Sequence, residues 1–97
     1  MYNKALKISY DPAKNRRNIA ERELSFDRAS EFDFDNAVIA VDDRKDYQEV
    51  RYVALGNLAG RVHVLCFTLI DGGVRVISFR KANKREVAQY ETQKTTY

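Results

Sequence analysis

From Asn36 onward the chain alternates apolar and polar residues with a period of two, and its later segments are joined by connections too short for anything but hairpins. Val38 to Val41, Arg51 to Leu55, Val62 to Ile70 and Val74 to Phe79 read as strands rich in β-branched residues. Gly56 to Gly60 and Asp71-Gly72-Gly73 separate the last three, with glycine available for the positive φ of a tight turn. Neighbouring parallel strands would need a crossover of about a dozen residues. An antiparallel meander is therefore expected.

Before the meander, Leu6 to Tyr10 reads as one more short strand, ended by Asp11-Pro12. Aspartate at an N-cap accepts from free backbone N–H groups, and proline at the first helical position gives up no donor that the helix uses. The pattern predicts a helix from Pro12 to about Arg22 with Ile19 as an apolar anchor. Ser25 is a second N-cap, with Leu24 placed to staple against Ala29 and with Phe26, Ala29 and Phe32 as the buried stripe of a short second helix. Asn83 and Glu86 form a capping box for a last helix whose Val87 and Tyr90 face inward, and whose periodicity ends at Gln93. With 97 residues there is material for one core, so residues 1–97 are read as a single domain. The expected class is α+β: an antiparallel β-sheet with two N-terminal helices and one C-terminal helix packed on one face.

Composition excludes several function classes. Hydrophobic residues make up 44% of the chain and charged residues 32%, which suits a folded soluble protein. There is no apolar run long enough to span a bilayer and no signal-peptide pattern, so a cytoplasmic protein is expected. Cys66, the only cysteine, sits in an apolar stretch and is read as buried packing, and His63, flanked by Val62 and Val64, as a structural histidine. One histidine and one cysteine supply no familiar metal-ligand set, and the pairs Asp42-Asp43 and Asp33/Asp35 have no ligand spacing, so no metal or other cofactor is expected. No glycine-rich phosphate loop precedes a helix, and no Ser, His and acid constellation is evident.

Charge is unevenly spread. Between Glu23 and Glu49 there are nine acidic and three basic residues, whereas the rest of the chain has fourteen basic and five acidic. Clustered cations at the two ends and in the later strands suit a polyanion such as nucleic acid, although solvated faces give the same pattern. Arg51, Arg75, Arg80, Lys81, Lys84 and Arg85 are the candidate binding cations. A guanidinium stays protonated and its planar donors match phosphate oxygens, so it can stabilise a pentacoordinate phosphorane. RNA carries its own nucleophile in the 2′-OH, leaving the protein to orient the phosphate and to accept and return a proton. Glu49, two residues before Arg51, is the candidate acceptor if the strand begins early enough to put both on one face. Arg75 and Arg80 differ in parity and would point to opposite faces of a regular strand, so they converge only if it ends or bends near Phe79.

These ordered motifs resemble the BrnT family of ribonuclease toxins. The resemblance is carried by Asp11-Pro12-Ala13-Lys14 with Asn18, by Leu24-Ser25-Phe26 with Ala29, and by Arg51-Tyr52-Val53-Ala54-Leu55-Gly56 followed by Gly60. It continues in Val76-Ile77-Ser78-Phe79-Arg80-Lys81-Ala82 with Arg85-Glu86 and Tyr90, and so covers roughly Ile8 to Tyr90. It implies a RelE-like fold and metal-independent endoribonuclease activity, with Arg51 and Arg80 at the positions of the family's functional arginines. Implied partners are an RNA substrate and a BrnA-like ribbon-helix-helix antitoxin in a heterotetramer, which touches operator DNA only through the antitoxin. Glu49, Arg75 and Lys81 are added on chemical grounds. Where the family commonly has Lys-His-Gly, this chain has Glu21-Arg22-Glu23, losing a glycine suited to ending a helix and a histidine that could touch RNA. The alternative to a nuclease is a catalytically weak module that binds RNA or the antitoxin through the same face. A third reading is an adaptor whose acidic middle segment docks a basic partner.

Overall fold

The computed structural model describes residues 6–95. In chain order these form β1 (Lys7–Ser9), α1 (Pro12–Arg22), a 3-10 helix (Phe26–Glu31), β2 (Val38–Val41), β3 (Tyr52–Leu58), β4 (Arg61–Ile70), β5 (Gly73–Lys81) and α2 (Lys84–Thr95). The strands make one sheet in the order β1-β5-β4-β3-β2. The meander from β2 to β5 is antiparallel, as the short turns from β3 to β4 and from β4 to β5 require of those strands. β1 pairs parallel to β5, with Lys7 opposite Gly73 and Ser9 opposite Arg75, so the sheet is mixed and the wholly antiparallel expectation is corrected. Hairpin length says nothing about β1, because most of the chain separates it from its partner. Only glycine fits at position 73: a Cβ there would lie 1.9 Å from the Lys7 carbonyl oxygen.

The helices lie on both faces, not on one. Ala54, Leu65 and Phe79 stand in one row across β3, β4 and β5 and pack under Phe26, Ala29 and Phe32. Leu55 and Val64, one position along, point to the other face, where Val87 and Tyr90 of α2 meet them. β4 is buried continuously from Val62 to Phe67, so alternation in the sequence could not reveal that both of its faces are covered. The expected second helix is a 3-10 helix. Its buried residues recur every three positions, which is the 3-10 repeat, and Ser25 Oγ accepts from the Asp27 N–H at its start.

α1 is held by asparagines and not by an apolar stripe, and Ile19, the expected anchor, is 44% exposed. β1 covers only residues 73–75 of β5, and α1 lies beside the uncovered remainder. Buried Asn18 donates from Nδ2 to the carbonyls of Leu24 (3.0 Å) and Phe79 (2.9 Å), while its Oδ1 accepts from Arg22. Asn15 Oδ1 accepts from the Phe26 N–H at 2.8 Å.

The helix still ends in a left-handed turn without the glycine. Glu23 takes φ 55° and ψ 37°, and its N–H donates to the Ile19 carbonyl. A side chain in that region costs about 1–2 kcal/mol, partly offset by glycine's greater freedom in the unfolded chain. Glu23→Gly is accordingly expected to raise stability by about 0.5–1 kcal/mol, or a few degrees in melting temperature.

The β3–β4 turn is Ala59-Gly60, shorter than the expected Gly56 to Gly60. Gly56 lies within β3 and admits the Phe32 ring, whose Cζ would be 2.6 Å from an added Cβ. Between β4 and β5, Cys66 pairs with Ser78 but Phe67 pairs with Val76, leaving Ile77 as a bulge.

Candidate functional site

The bulge decides where the cations of β5 point. Val74 and Val76 face the 3-10 helix, and so does Phe79, because Ile77 inserts one residue into the count. Arg75, Ser78 and Arg80 therefore all face the side that carries α2, resolving the parity conflict read from the sequence. Arg51, just ahead of β3, shares that face through the same alternation as Val53 and Leu55, and its carbonyl accepts from the Asp42 N–H at 2.7 Å.

α2 covers one end of this face, and beside it opens a cavity of about 390 Å³ floored by Val53, Val64, Cys66 and Ser78. On the α2 side, Arg80 forks onto Glu86, Nη1 to Oε1 at 2.8 Å and Nη2 to Oε2 at 2.9 Å. Glu86 is held by the capping box that the sequence predicts: its Oε1 accepts from the Asn83 N–H, and its own N–H donates to Asn83 Oδ1. On the opposite side, the buried Asp42 carboxylate receives Arg44 through Nε and Nη2, both at 2.8 Å, and the Tyr47 hydroxyl at 3.3 Å. The cavity is thus walled by two arginine–carboxylate forks, a geometry with enough donors for a phosphate.

Those partners set the proton affinities. The Arg80 guanidinium and the Asn83 N–H hold Glu86 down at about 2, and Arg44 with Tyr47 holds Asp42 down at about 2. Burial pushes the Cys66 thiol up, so it stays protonated on the cavity floor. Both carboxylates titrate near 4 in an unfolded chain. Their depressed values add stability that is fully present above that range and is lost as pH falls from about 4.5 towards 2. The midpoint of urea unfolding is expected to drop across that window, and Glu86→Gln or Asp42→Asn to flatten the drop.

The residues singled out from sequence are partly assembled here. Arg80 lines the cavity. Arg51 is on the same face but four residues along β3 and two strands across, roughly 16 Å between Cα atoms from standard strand spacings. Its guanidinium lies 4.0 Å over the Tyr47 ring and its Nε is 3.0 Å from Glu49 Oε2. β3 begins at Tyr52, so Glu49 stands in the preceding loop and meets Arg51 by ion pairing, not by sharing a strand face. Arg75 is exposed beyond Thr68, with Nη1 3.3 Å from Ser9 Oγ. Lys84 and Arg85 are exposed on the first turn of α2. Lys81 alone points to the opposite face, in register with His63. His63 is buried, with Nδ1 2.8 Å from the Arg61 carbonyl and its ring against Phe79.

Asp42, Arg44, Tyr47 and Glu86 were missed. Glu86 carried a signal, since a capping-box glutamate six residues after an arginine can turn back onto it. The loop after β2 carried none.

Among the described residues, no three His, Cys, Asp or Glu side chains gather into a metal site, and no helix is long and apolar enough to cross a membrane. The family model for the ribonuclease toxin BrnT of type II toxin-antitoxin systems matches residues 10–86. Among solved structures, the ribonuclease toxin BrnT of Brucella abortus is similar, with a TM-score of 0.62 and 25% sequence identity over 81% of this chain and 99% of that one. No curated protein matches the chain.

Proposed function

The chain belongs to the BrnT family of ribonuclease toxins of type II toxin-antitoxin systems, and from that premise we propose that it is a metal-independent endoribonuclease that works on the face beside α2. Membership brings with it an RNA target and an antitoxin partner. The observation that carries the finer reading is the Arg80–Glu86 fork at the cavity wall.

In the proposed reaction, a base removes the proton of a ribose 2′-OH, the 2′-oxygen bonds to the adjacent phosphorus, and the bond to the 5′-oxygen breaks as that oxygen takes a proton. Arg80 stabilises the charge of the phosphorane with Arg44 across the cavity, while Arg51, farther along the face, holds a neighbouring phosphate. Drawing Arg80 onto the phosphate loosens its hold on Glu86, whose proton affinity then rises from its depressed value. Glu86 becomes the acceptor at the step that needs one. Glu49 stands in the same relation to Arg51, but it does not line the cavity, so we place the base at Glu86. Arg75, Lys84 and Arg85, exposed around the same face, hold flanking phosphates.

Cleavage of cellular RNA by such a site inhibits translation and growth in the cytoplasm. A BrnA-like ribbon-helix-helix antitoxin is the proposed inhibitor, because a segment with acidic and apolar side chains suits a cavity of this polarity. A heterotetramer that reaches operator DNA through the antitoxin alone completes this reading.

The test is incubation of the purified protein with mixed-sequence RNA in excess EDTA. Internal cuts ending in 2′,3′-cyclic phosphate and 5′-hydroxyl are expected, at a rate indifferent to chelation. A second reading, a weak binding module, draws support from the two cavity arginines being already engaged by carboxylates. RNA retention with no fragments in the same assay would select it.

A further inference from the structure

Arg80 and Lys81 are consecutive on β5 and point to opposite faces. On the Lys81 side lies a second cavity, of about 470 Å³, to which Arg22, Arg28, Arg61, Lys81 and His63 contribute. A smaller cavity lined by Arg22, Leu24, Arg80 and Lys81 shares Arg80 with the first site and Arg22 and Lys81 with the second. Cations therefore run without a break around the end of β5, from one face of the sheet to the other.

The second cavity is cationic in effect. Arg28 is paired with Glu31, but among the described residues no carboxylate forms an ion pair with Arg22, Arg61 or Lys81. Glu21 and Glu23 also line it, so three cations free of ion pairs, of which Arg22 also donates to Asn18, face two carboxylates.

Its floor holds a poised acceptor. His63 is 5% exposed, and its Nδ1 faces the Arg61 carbonyl, which can only accept, so Nδ1 carries the hydrogen. Burial disfavours the charged ring, leaving Nε2 with a lone pair. Among the described residues no fully buried side-chain nitrogen or oxygen lacks a partner, and Nε2 has none in the protein, so it is reached from the cavity. A nearly buried acceptor beneath a ring of cations suits a nucleotide, whose phosphate meets the guanidinium groups and whose base presents an N–H.

We propose that this cavity is a second RNA subsite, which seats a nucleotide away from the cleaved linkage as the strand passes around the end of β5. Arg22, Arg61 and Lys81 hold its phosphates, and His63 Nε2 accepts from its base. The proposal rests on the ribonuclease reading and extends the substrate beyond the first cavity.

Non-cleavable 2′-O-methyl RNA oligomers of about 4 and about 12 nucleotides, spanning common single-strand site sizes, separate the possibilities by fluorescence anisotropy. The wild type should bind the longer oligomer more tightly. Arg61→Ala should weaken that binding several-fold and lower its salt slope by about 0.7, the share of one phosphate contact on a single strand. Arg61→Glu should weaken it further, while both variants bind the short oligomer as the wild type does. Arg61 is exposed, and a thermal melt confirms that each variant is folded. Equal affinity of wild type and Arg61→Glu for the longer oligomer would overturn the subsite and leave the nuclease reading standing. Failure of the wild type to bind either oligomer would overturn both.

Discussion

Arg80→Ala is expected to slow RNA cleavage by about 10²–10³-fold, the usual cost of removing one preorganised donor to a developing oxyanion, and to abolish growth arrest on expression without an antitoxin. The loss should fall on kcat more than on KM, because the fork is redirected to the phosphate mainly as charge builds. Arg80→Lys should recover little of it, since an ammonium cannot span two oxygens in one plane. The fold should survive in both variants. Arg80 is partly exposed, and Glu86 keeps its bonds to Asn83 when the guanidinium is gone. Cleavage by a folded Arg80→Ala protein at the wild-type rate would remove the site from this face. Single-turnover rates on labelled RNA, read beside melting curves, make the distinction.

The largest effect on stability is expected at Asn18. Its amide donates to both Leu24 O and Phe79 O, and leucine has nearly its shape without its donors or acceptor. Asn18→Leu leaves two carbonyls short of a partner at a buried position, at about 1–3 kcal/mol each, so a loss of about 3 kcal/mol is expected. For a domain of this size that is roughly 15 °C in melting temperature. Hydrogen exchange should find α1 loosened most, because Asn15 and Asn18 bind it where apolar anchors do not. Urea unfolding followed by circular dichroism gives the magnitude, and a change under about 1 kcal/mol would show that water replaces the lost bonds.

The meander was legible because its turns are short: residues 56–60 and 71–73 leave no room for any other connection. Capping was legible at Asp11 and Asn83 because side-chain oxygens at those positions have one obvious use. Pairing of β1 with β5 was not, since two strands so distant in sequence share no local signal. Nor was the bulge at Ile77, since one inserted residue leaves no mark on the sequence pattern of either strand. That single residue also hid the site, because it sets whether Arg75 and Arg80 agree or oppose. Arg51 and Arg80 were singled out as cations from separate segments, but Arg51 does not line the cavity, and the groups facing Arg80 across it come from a loop with no periodicity to read. Asn18 stood out only through resemblance. A lone asparagine in a helix does not announce which carbonyls it will find.

The parallel pairing of the first strand with the last sets an order on synthesis. The ribosome delivers Asn18 well before Phe79, 61 residues later, an interval of roughly 3–12 seconds at ordinary elongation rates. Throughout it β1 lacks the strand it pairs with and Asn18 lacks the Phe79 carbonyl. A chain whose translation stops before β5 emerges is left without the strand that joins its beginning to its end and without Arg80, so it is expected to be inactive. A working site is therefore expected only from a chain long enough to carry β5 and α2.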